Sequence, residues 1–274
     1  MKVQLVTDEK IAETSSKGNQ EKWFDKETNS WYKVDQFGYE ALSEAAISSL
    51  LELSGIEFAT PFTFVRYYPQ KMLVHKRERV VCVSNNFLES GQSIITLSHL
   101  LTKYLGFPLR DKLLKLKSDK QRIAYLAEKV MECTGLDKFG EYLTLLFEID
   151  SLFLNDDRHL NNIAVLEKDG AYDYCPIFDN GAGLLSNVQM LQMDILPKGL
   201  IPTLKARPFL TSFTRQMNTA RSLYGRQLVM PMLEKLQIQE IVRPMLAFYA
   251  ERDRAIILDR VCECIMIRQK VLQK

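Results

Sequence analysis

Residues 155–163 have the sequence NDDRHLNNI, and residues 177–181 have the sequence IFDNG. The first stretch contains the pattern D-x-H-x-x-N, from Asp157 to Asn162, and the second contains F-D-x-G around Asp179. Transfer of a phosphoryl group from a nucleotide needs one carboxylate at the acceptor hydroxyl, and an amide and a second carboxylate on magnesium. The two stretches therefore predict Asp157 as the catalytic carboxylate and Asn162 and Asp179 as ligands of Mg²⁺.

The segment between the two stretches predicts how they meet. Alternating runs at 163–166 and 172–175 flank an Asp-Gly pair at 169–170, which is a strong signal for a β-hairpin. A hairpin doubles back and would bring the second stretch beside the first. Taken singly, each stretch is more typical of a polar loop or a turn. The catalytic interpretation is favoured only because the hairpin would bring Asp157, Asn162 and Asp179 together. The Asn-Gly pair at 180–181 permits a sharp or left-handed turn.

The neighbours of Asp157 have more open roles. For His159 we expect either a hydrogen bond to backbone that orients the loop, or contact with the transferred phosphate. Asp156 is expected to cap the loop or to pair with Arg158, and Asn161 is expected to be a loop residue. Of these residues, only His159 is a candidate for the catalytic group.

Lys33 lies in an alternating strand pattern at 31–34, and a helical pattern carrying Glu40 and Glu44 follows it. A lone lysine on a strand is normally a solvated edge residue. A buried Lys–Glu pair that holds the α- and β-phosphates is, however, a standard part of a two-lobed kinase. The two acids are one turn apart on the same helix face, so spacing alone does not choose between them; we prefer Glu44.

Two further segments are candidates for nucleotide binding. Residues 15–20, SSKGNQ, lie between the first two predicted strands, where backbone N–H groups of Ser16 and Gly18 could face phosphates. This segment has a single glycine, and a plain turn is the alternative. Phe87 and Leu88 end the last predicted strand of this region, where an adenine would bond to backbone groups; that prediction rests on position alone.

Composition excludes several other classes. The chain has 274 residues, 46% of them hydrophobic, and a net charge of +2 without any sustained run of Lys and Arg, so nothing favours nucleic acid as a partner. Its five scattered cysteines are expected to be free thiols in a reducing compartment. The N-terminus lacks the apolar core of a signal peptide, and no stretch is long and apolar enough for a membrane span. We expect a cytoplasmic protein, with secretion by a specialised system left open.

The periodicity of the chain predicts an α+β fold of two lobes. Residues 1–89 form a small β-rich lobe with one helix, and residues 90–274 form a larger, mainly helical lobe. The expected strands are 1–6, 31–34, 63–67 and 80–83, and the expected helices are 39–53, 95–105, 119–131, 136–154 and a long one at 240–269 interrupted at Pro244. A cleft between two such lobes is a natural place for a nucleotide.

These motifs resemble those of the HipA-like bacterial serine/threonine protein kinases, in the short form that stands alone. The resemblance is carried by Lys33, the Glu44 helix ending in LSGI at 53–56, the DRHLNN loop at 157–162 and FDNG at 178–181. It implies a two-lobed kinase that uses ATP and Mg²⁺. By motif position, Asp157 is the catalytic base, Asn162 and Asp179 are metal ligands, and Lys33 binds phosphates.

The resemblance also implies a substrate side and a regulatory site. Residues 205–209 are expected to contribute to the substrate side. Members of the family often phosphorylate one of their own serines in the loop over the phosphates, and Ser15 and Ser16 are the matching candidates. The HipA toxin carries an extra N-terminal subdomain that helps contact its antitoxin, whereas this chain begins almost at the kinase core, so an antitoxin-like regulator remains open.

Three functions therefore compete. The leading one is an ATP-dependent serine/threonine kinase that phosphorylates a protein hydroxyl and also phosphorylates its own serines. The second is a lipid or small-molecule kinase, because the loop sequence DRH at 157–159 also occurs in phosphoinositide kinases. Against this alternative, the chain has no basic amphipathic segment for membrane binding. The third is a nucleotide-binding module without turnover, which the complete set of motif residues argues against.

Overall fold

A four-stranded antiparallel sheet begins the fold. The computed structural model describes residues 20–273; the predicted strand at 1–6 and the candidates Ser15, Ser16 and Gly18 lie outside the described residues. The strands are β1 (Lys22–Asp25), β2 (Ser30–Val34), β3 (Tyr68–Val74) and β4 (Arg77–Asn85), in the order β1-β2-β4-β3.

Alternation along these strands separates two faces of the sheet. One face buries a small cluster of aromatic and β-branched side chains: Trp23, Tyr32, Val34, Val81 and Val83. Lys33 is paired across the sheet with Lys22 on one side and Cys82 on the other. Because side chains along a strand alternate between faces, this row of three lies on the face opposite the small cluster.

Helix α1 (Glu40–Leu51) packs against this sheet and against a helix near the C-terminus, α9 (Lys235–Leu246). Nearly all of its side chains are buried. A 3-10 turn at Glu52–Ser54 extends it, and Gly55 ends it with φ of 65°, a left-handed conformation that glycine adopts without strain. The short helix α2 (Ile56–Ala59) follows. The predicted helix at 39–53 is thus confirmed.

The second sheet has three antiparallel strands, β5 (Ser93–Thr96), β6 (Ala164–Lys168) and β7 (Ala171–Tyr174), in that order. Strands β6 and β7 form the predicted hairpin, with positive φ at Asp169 and Gly170 in its turn. The helix expected to start at Ile95 starts instead at Leu97. Ile95 is drawn into β5, where it pairs with Val165.

The rest of the described chain is mainly helical. In addition to α9, its helices are α3 (Leu97–Leu105), α4 (Leu109–Lys115), α5 (Asp119–Thr134), α6 (Phe139–Phe153), α7 (Pro197–Leu200), α8 (Phe213–Tyr224) and α10 (Glu251–Leu272). Helix α6 is central, because almost every one of its side chains is buried, and it packs against α5, α8 and α10. Between residues 20 and 273, no helix has both the length and the apolar character that a membrane crossing requires.

Some predicted elements differ from the structure. The strand expected at 63–67 begins only at Tyr68, because Phe64 forms a single bridge to Ile177 instead of a ladder. The long helix expected at 240–269 is two helices, and the break follows Leu246; Pro244 lies inside α9. Strand β1 and helices α4 and α8 have no counterpart among the predicted elements; β1 and α4 are only four and seven residues long.

Candidate active site

A cleft opens beside the face of the first sheet that carries Lys22, Lys33 and Cys82, and it is bounded by residues from both sheets. Its lining side chains are Lys22, Trp31, Lys33, Tyr67, Cys82, Ser84, Phe87, Ile94, Phe178 and Asp179. The cleft therefore combines an apolar part, which includes Phe87 and Phe178, with a charged part around Lys33 and Asp179. Leu88 packs beside Phe87 in a small cluster, and its backbone N–H donates to Asn86 Oδ1 at 3.3 Å.

Lys33 is the centre of the charged part. Its Nζ lies 2.7 Å from Glu44 Oε1 and 2.5 Å from Asp179 Oδ1. The other oxygen of Glu44 accepts the backbone N–H of Asn180 at 2.8 Å. Of the two acids left open by spacing, Glu44 is thus the partner of Lys33. Glu40 instead accepts the N–H groups of residues 37 and 38 at the start of α1.

The charges at this position stabilise one another. Burial alone would lower the pKa of Lys33, but the carboxylates of Asp179 and Glu44 raise it well above its ordinary value. Burial alone would raise the pKa of Asp179, but Lys33 lowers it to about 2. Both groups are therefore charged at neutral pH, and the Asp179 carboxylate is an acceptor suited to a hard cation.

The loop after α6 carries Asp157. The helix ends at Leu154, which has a φ of 60°. The Asp157 side chain is 47% exposed, and its Oδ1 lies 3.2 Å from Arg207 Nη1. His159 Nε2 lies 3.8 Å from Oδ2, too far for a hydrogen bond. Burial raises the pKa of Asp157, while His159 and Arg207 act to lower it.

His159 does not orient the loop through its side chain. Its backbone N–H donates to the carbonyl of Asp157 at 2.7 Å. The ring Nδ1 is buried and has no hydrogen-bond partner among the described residues. The imidazole therefore lies next to the candidate base without a hydrogen bond to it, and its buried Nδ1 is also unused.

Arg158 joins the two motifs. Its side chain is fully buried, and its Nε and Nη2 donate to Asp150 on α6. The pairing expected with Asp156 is wrong, because the buried carboxylate of Asp150 takes the guanidinium. Arg158 Nη1 also donates to the backbone carbonyl of Asn162 at 3.2 Å and to that of Phe178 at 2.6 Å. One side chain thereby fixes the backbones on which both candidate metal ligands lie.

The two candidate metal ligands suit Mg²⁺. Asn162 Nδ2 donates to the Asp157 carbonyl at 3.2 Å, while its Oδ1 is buried and has no donor within the described part of the chain. An unpartnered buried amide oxygen is costly unless something else binds it. Asp179 supplies the carboxylate oxygen that a hard cation prefers. In residues 20–273, no cluster of three or more His, Cys, Asp and Glu side chains offers a different metal site.

The backbone around Asp179 differs from the expectation in one respect. The left-handed residue is Asp179 itself, with φ of 61°, and not the Asn-Gly pair that follows it. The conformation is held by Asn155 Nδ2, which donates to the Asp179 carbonyl at 3.2 Å. Non-glycine residues seldom adopt this conformation, although aspartate adopts it more readily than most.

Sequence reasoning missed two contacts of this site. Lys22 lies in the cleft beside Lys33; burial lowers its pKa to about 8, with Asp179 opposing and Lys33 contributing to the shift. Arg207 reaches Asp157 from a segment fifty residues later. The only local signal for Lys22 was the alternation of its short strand, and no local signal linked Arg207 to Asp157.

Together, the two small sheets, the Lys33–Glu44 pair and the loop–hairpin–loop define a kinase-like fold. No family model and no curated protein matches the sequence. Among solved structures, the Helicobacter pylori proinflammatory kinase CtkA matches with a TM-score of 0.55 and 14% identity, over 94% of this chain and 92% of that one.

A second match comes from the Shewanella oneidensis MR-1 toxin–antitoxin complex of HipA, HipB and operator DNA. Its TM-score is 0.50 and its identity 13%, over 93% of this chain and 64% of the HipA chain. Likeness at this level of identity shows the fold. The predicted resemblance to HipA-like proteins is thereby confirmed in three dimensions.

Proposed function

We propose that the protein is an ATP-dependent serine/threonine protein kinase with two lobes, residues 1–89 and 90–274, and with ATP between them. The observation that carries the proposal is a connected polar network at one end of a cleft. It runs from Lys33 through Glu44 and Asp179, and from there through Arg158 to the loop of Asp157. The kinase-like fold of the solved neighbours supports the same conclusion.

The phosphate side is assigned to the lysines of the first sheet. Lys33, preset by Glu44, would hold the α- and β-phosphates, and Lys22 adds a second cation beside it. The segment at residues 15–20, with Ser16 and Gly18, would cover the phosphates. Phe87 and Leu88 would meet the adenine at the apolar end of the cleft.

Asn162 and Asp179 would hold the Mg²⁺, which offsets the negative charge of the phosphates. Asn162 offers its unpartnered Oδ1, and Asp179 offers a carboxylate that the lysines keep ionised. Arg158 keeps the two backbones at a fixed separation.

Asp157 would accept the proton of the acceptor hydroxyl. Its carboxylate is half exposed, so a substrate can reach it, and burial raises its pKa toward the range in which a general base is useful. His159 would lie beside the transferred phosphate and would donate a hydrogen bond to it. The γ-phosphoryl group then passes in line to the hydroxyl oxygen, and ADP leaves.

The test is to incubate the purified protein with γ-labelled ATP and Mg²⁺, in parallel with the Asp157→Asn variant, and to locate phosphate by mass spectrometry. We expect label on Ser15 or Ser16 of the parent and none on the variant. Label on a soluble alcohol or a lipid, and none on protein, would favour the small-molecule alternative. Tight ATP binding without any transfer would leave a non-catalytic module.

A further inference from the structure

The segment that follows the candidate metal loop has an unbalanced charge. Residues 195–233 contain no Asp or Glu. The basic residues of this segment are Lys198, Lys205, Arg207, Arg215, Arg221 and Arg226. Arg221 is committed to the structure through Glu148, at 2.6 Å. Lys198, Lys205, Arg207 and Arg215 are exposed, and we call these four side chains the positive rim.

The rim reaches the candidate catalytic base. Lys205 and Arg207 alternate with the buried residues Leu204 and Ala206, so both basic side chains point away from the core. The backbone N–H of Arg207 donates to the Asp156 carbonyl at 3.1 Å, which fixes the segment against the catalytic loop. From there the guanidinium extends to Asp157.

The hydrogen bonds of Arg207 are incomplete. A guanidinium has five N–H donors, and Asp157 is the only side chain in the described part of the chain that lies within salt-bridge distance of this one. The Arg207 side chain is 51% exposed. Donors are therefore left over at the position where an acceptor hydroxyl must approach Asp157.

The competition at Asp157 selects the kind of acceptor. A hydroxyl that binds Asp157 must share that carboxylate with Arg207 or displace it. A substrate carboxylate next to the hydroxyl would take over the guanidinium, since paired carboxylate–guanidinium bonds are among the strongest hydrogen bonds in proteins. A basic neighbour would instead be repelled by both Arg207 and Lys205.

We propose that the acceptor is a serine or threonine within an acidic stretch of polypeptide, with Arg207 binding the acidic residue nearest the hydroxyl and Lys205 the next. The inference rests on the proposed kinase function and adds its substrate class. Arg215 on α8 is not assigned a substrate contact, because its Nε lies 3.2 Å from the buried carboxylate of Asp119.

The experiment compares three peptides that carry one serine flanked by acidic, by neutral amide, or by basic residues. Each is phosphorylated by the full chain with γ-labelled ATP and Mg²⁺, and kcat/KM is measured. We expect the acidic peptide to exceed the neutral one by roughly tenfold or more, the worth of a charge-assisted hydrogen bond, and the basic peptide to be poorest. The preference should weaken at high salt because the rim is exposed.

Variants assign the preference to the rim. Arg207→Gln should reduce the acidic-to-neutral ratio by about tenfold, Arg207→Lys should keep part of it, and Lys205→Gln should reduce it less. The ratio is the readout because any general loss of activity through Asp157 cancels in it. Arg252→Gln is the matched control, since Arg252 lies on α10 and is 87% exposed; it should leave the ratio unchanged.

The outcomes separate this inference from the proposed function. Equal rates on acidic and neutral peptides would overturn the inference, and so would an acidic-to-neutral ratio that Arg207→Gln does not change. Neither result would contradict the proposed kinase function. Phosphoinositide vesicles serve as a fourth substrate in the same assay. Label that appears only on these vesicles would overturn the inference in favour of a lipid headgroup. An absence of any ATP turnover would overturn the inference and the proposed function together.

Discussion

Arg158 and Asp157 are adjacent in one loop, yet their surroundings are opposite. Arg158 is fully buried, and its donors are taken by Asp150, Asn180 and two backbone carbonyls. Asp157 is half exposed and has one ion pair, with an exposed arginine. The same contrast separates the satisfied Asp150 from Asn162, whose Oδ1 has no donor among the described residues.

The contrast distinguishes side chains that build the loop from side chains that remain available to a ligand. A buried arginine that satisfies a carboxylate and three other acceptors fixes geometry and leaves nothing for a substrate. A half-exposed carboxylate and an unpartnered amide oxygen have bonding capacity left. If this distinction is right, substitutions in the two sets should affect different measurements.

The largest effect is expected for Asp157→Asn. Loss of a general base typically lowers the rate by about 10²- to 10⁴-fold, so phosphoryl transfer should nearly vanish. ATP affinity should stay within about threefold, because Lys33, Asn162 and Asp179 are intact, and the free energy of unfolding should change by less than about 0.5 kcal/mol. Transfer assays, nucleotide titration and urea unfolding measure the three quantities. Full activity in the variant would refute the role of Asp157.

Arg158→Met should differ from Asp157→Asn, because its main effect should be a loss of folding stability. Removing one partner of a buried ion pair costs about 3–5 kcal/mol, because Asp150 is left charged and unpaired in the interior. The midpoint of urea unfolding should fall sharply. The matched control is Arg207→Met, whose exposed ion pair with Asp157 should contribute no more than about 1 kcal/mol.

A double variant separates two causes of that loss of stability: the unpaired charge of Asp150 and the lost hydrogen bonds of Arg158. Arg158→Met combined with Asp150→Leu removes both buried charges, and part of the lost stability should return. If the double variant is no more stable than the single one, the cost lies in the lost bonds to Asn162 and Phe178 and not in the unpaired Asp150.

The difference between the two sets also explains what the sequence could predict. The hairpin, α1 and α6 follow from local periodicity and from an Asp-Gly turn, so they were foreseen to within a few residues. The motif positions Asp157, Asn162 and Asp179 follow from residue types at short spacing. Their chemical roles stay predictions that the variants must test.

The contacts that complete the site could not be foreseen. Arg207 meets Asp157 across fifty residues of chain, and no periodicity encodes such a meeting. Asp150 lies in an apolar helix pattern, where nothing marks it as the partner of Arg158. The preference for Glu44 over Glu40 agrees with the structure, but helix spacing could not decide it, because the choice depends on where Lys33 lies above the helix.

Asn162→Ala tests a second side chain that remains available to a ligand, and it should have an intermediate effect on activity. Removing the unpartnered Oδ1 deletes one candidate ligand, so the Mg²⁺ concentration at half-maximal activity should rise by about tenfold or more. Asn161→Ala, one residue earlier, is the control and should not change it. A magnesium dependence that is the same in both variants would remove Asn162 from the metal site.

Asp35→Asn tests a buried carboxyl that, unlike Asp150, has no cationic partner in the described part of the chain. Of the substitutions considered, it should have the smallest effect, seen only in how stability depends on pH. Asp35 Oδ1 accepts the N–H of Ala41 and Oδ2 accepts the hydroxyl of Tyr249, but no ion pair reaches this carboxyl within residues 20–273. Burial, with a smaller contribution from Glu40, raises the pKa of Asp35 to about 8. Between about pH 4 and pH 8, therefore, the folded chain holds a proton that the unfolded chain has released.

Stability must consequently fall as pH rises through that window, by up to about 1.4 kcal/mol per pH unit. The Asn side chain does not titrate, so Asp35→Asn should flatten this part of the curve, whereas Asp259→Asn at an exposed site should leave it unchanged. Urea unfolding at pH 6, 7 and 8 provides the measurement. If the slope persists in Asp35→Asn, the proton is held elsewhere, and Glu40, whose pKa burial also raises, becomes the residue to test.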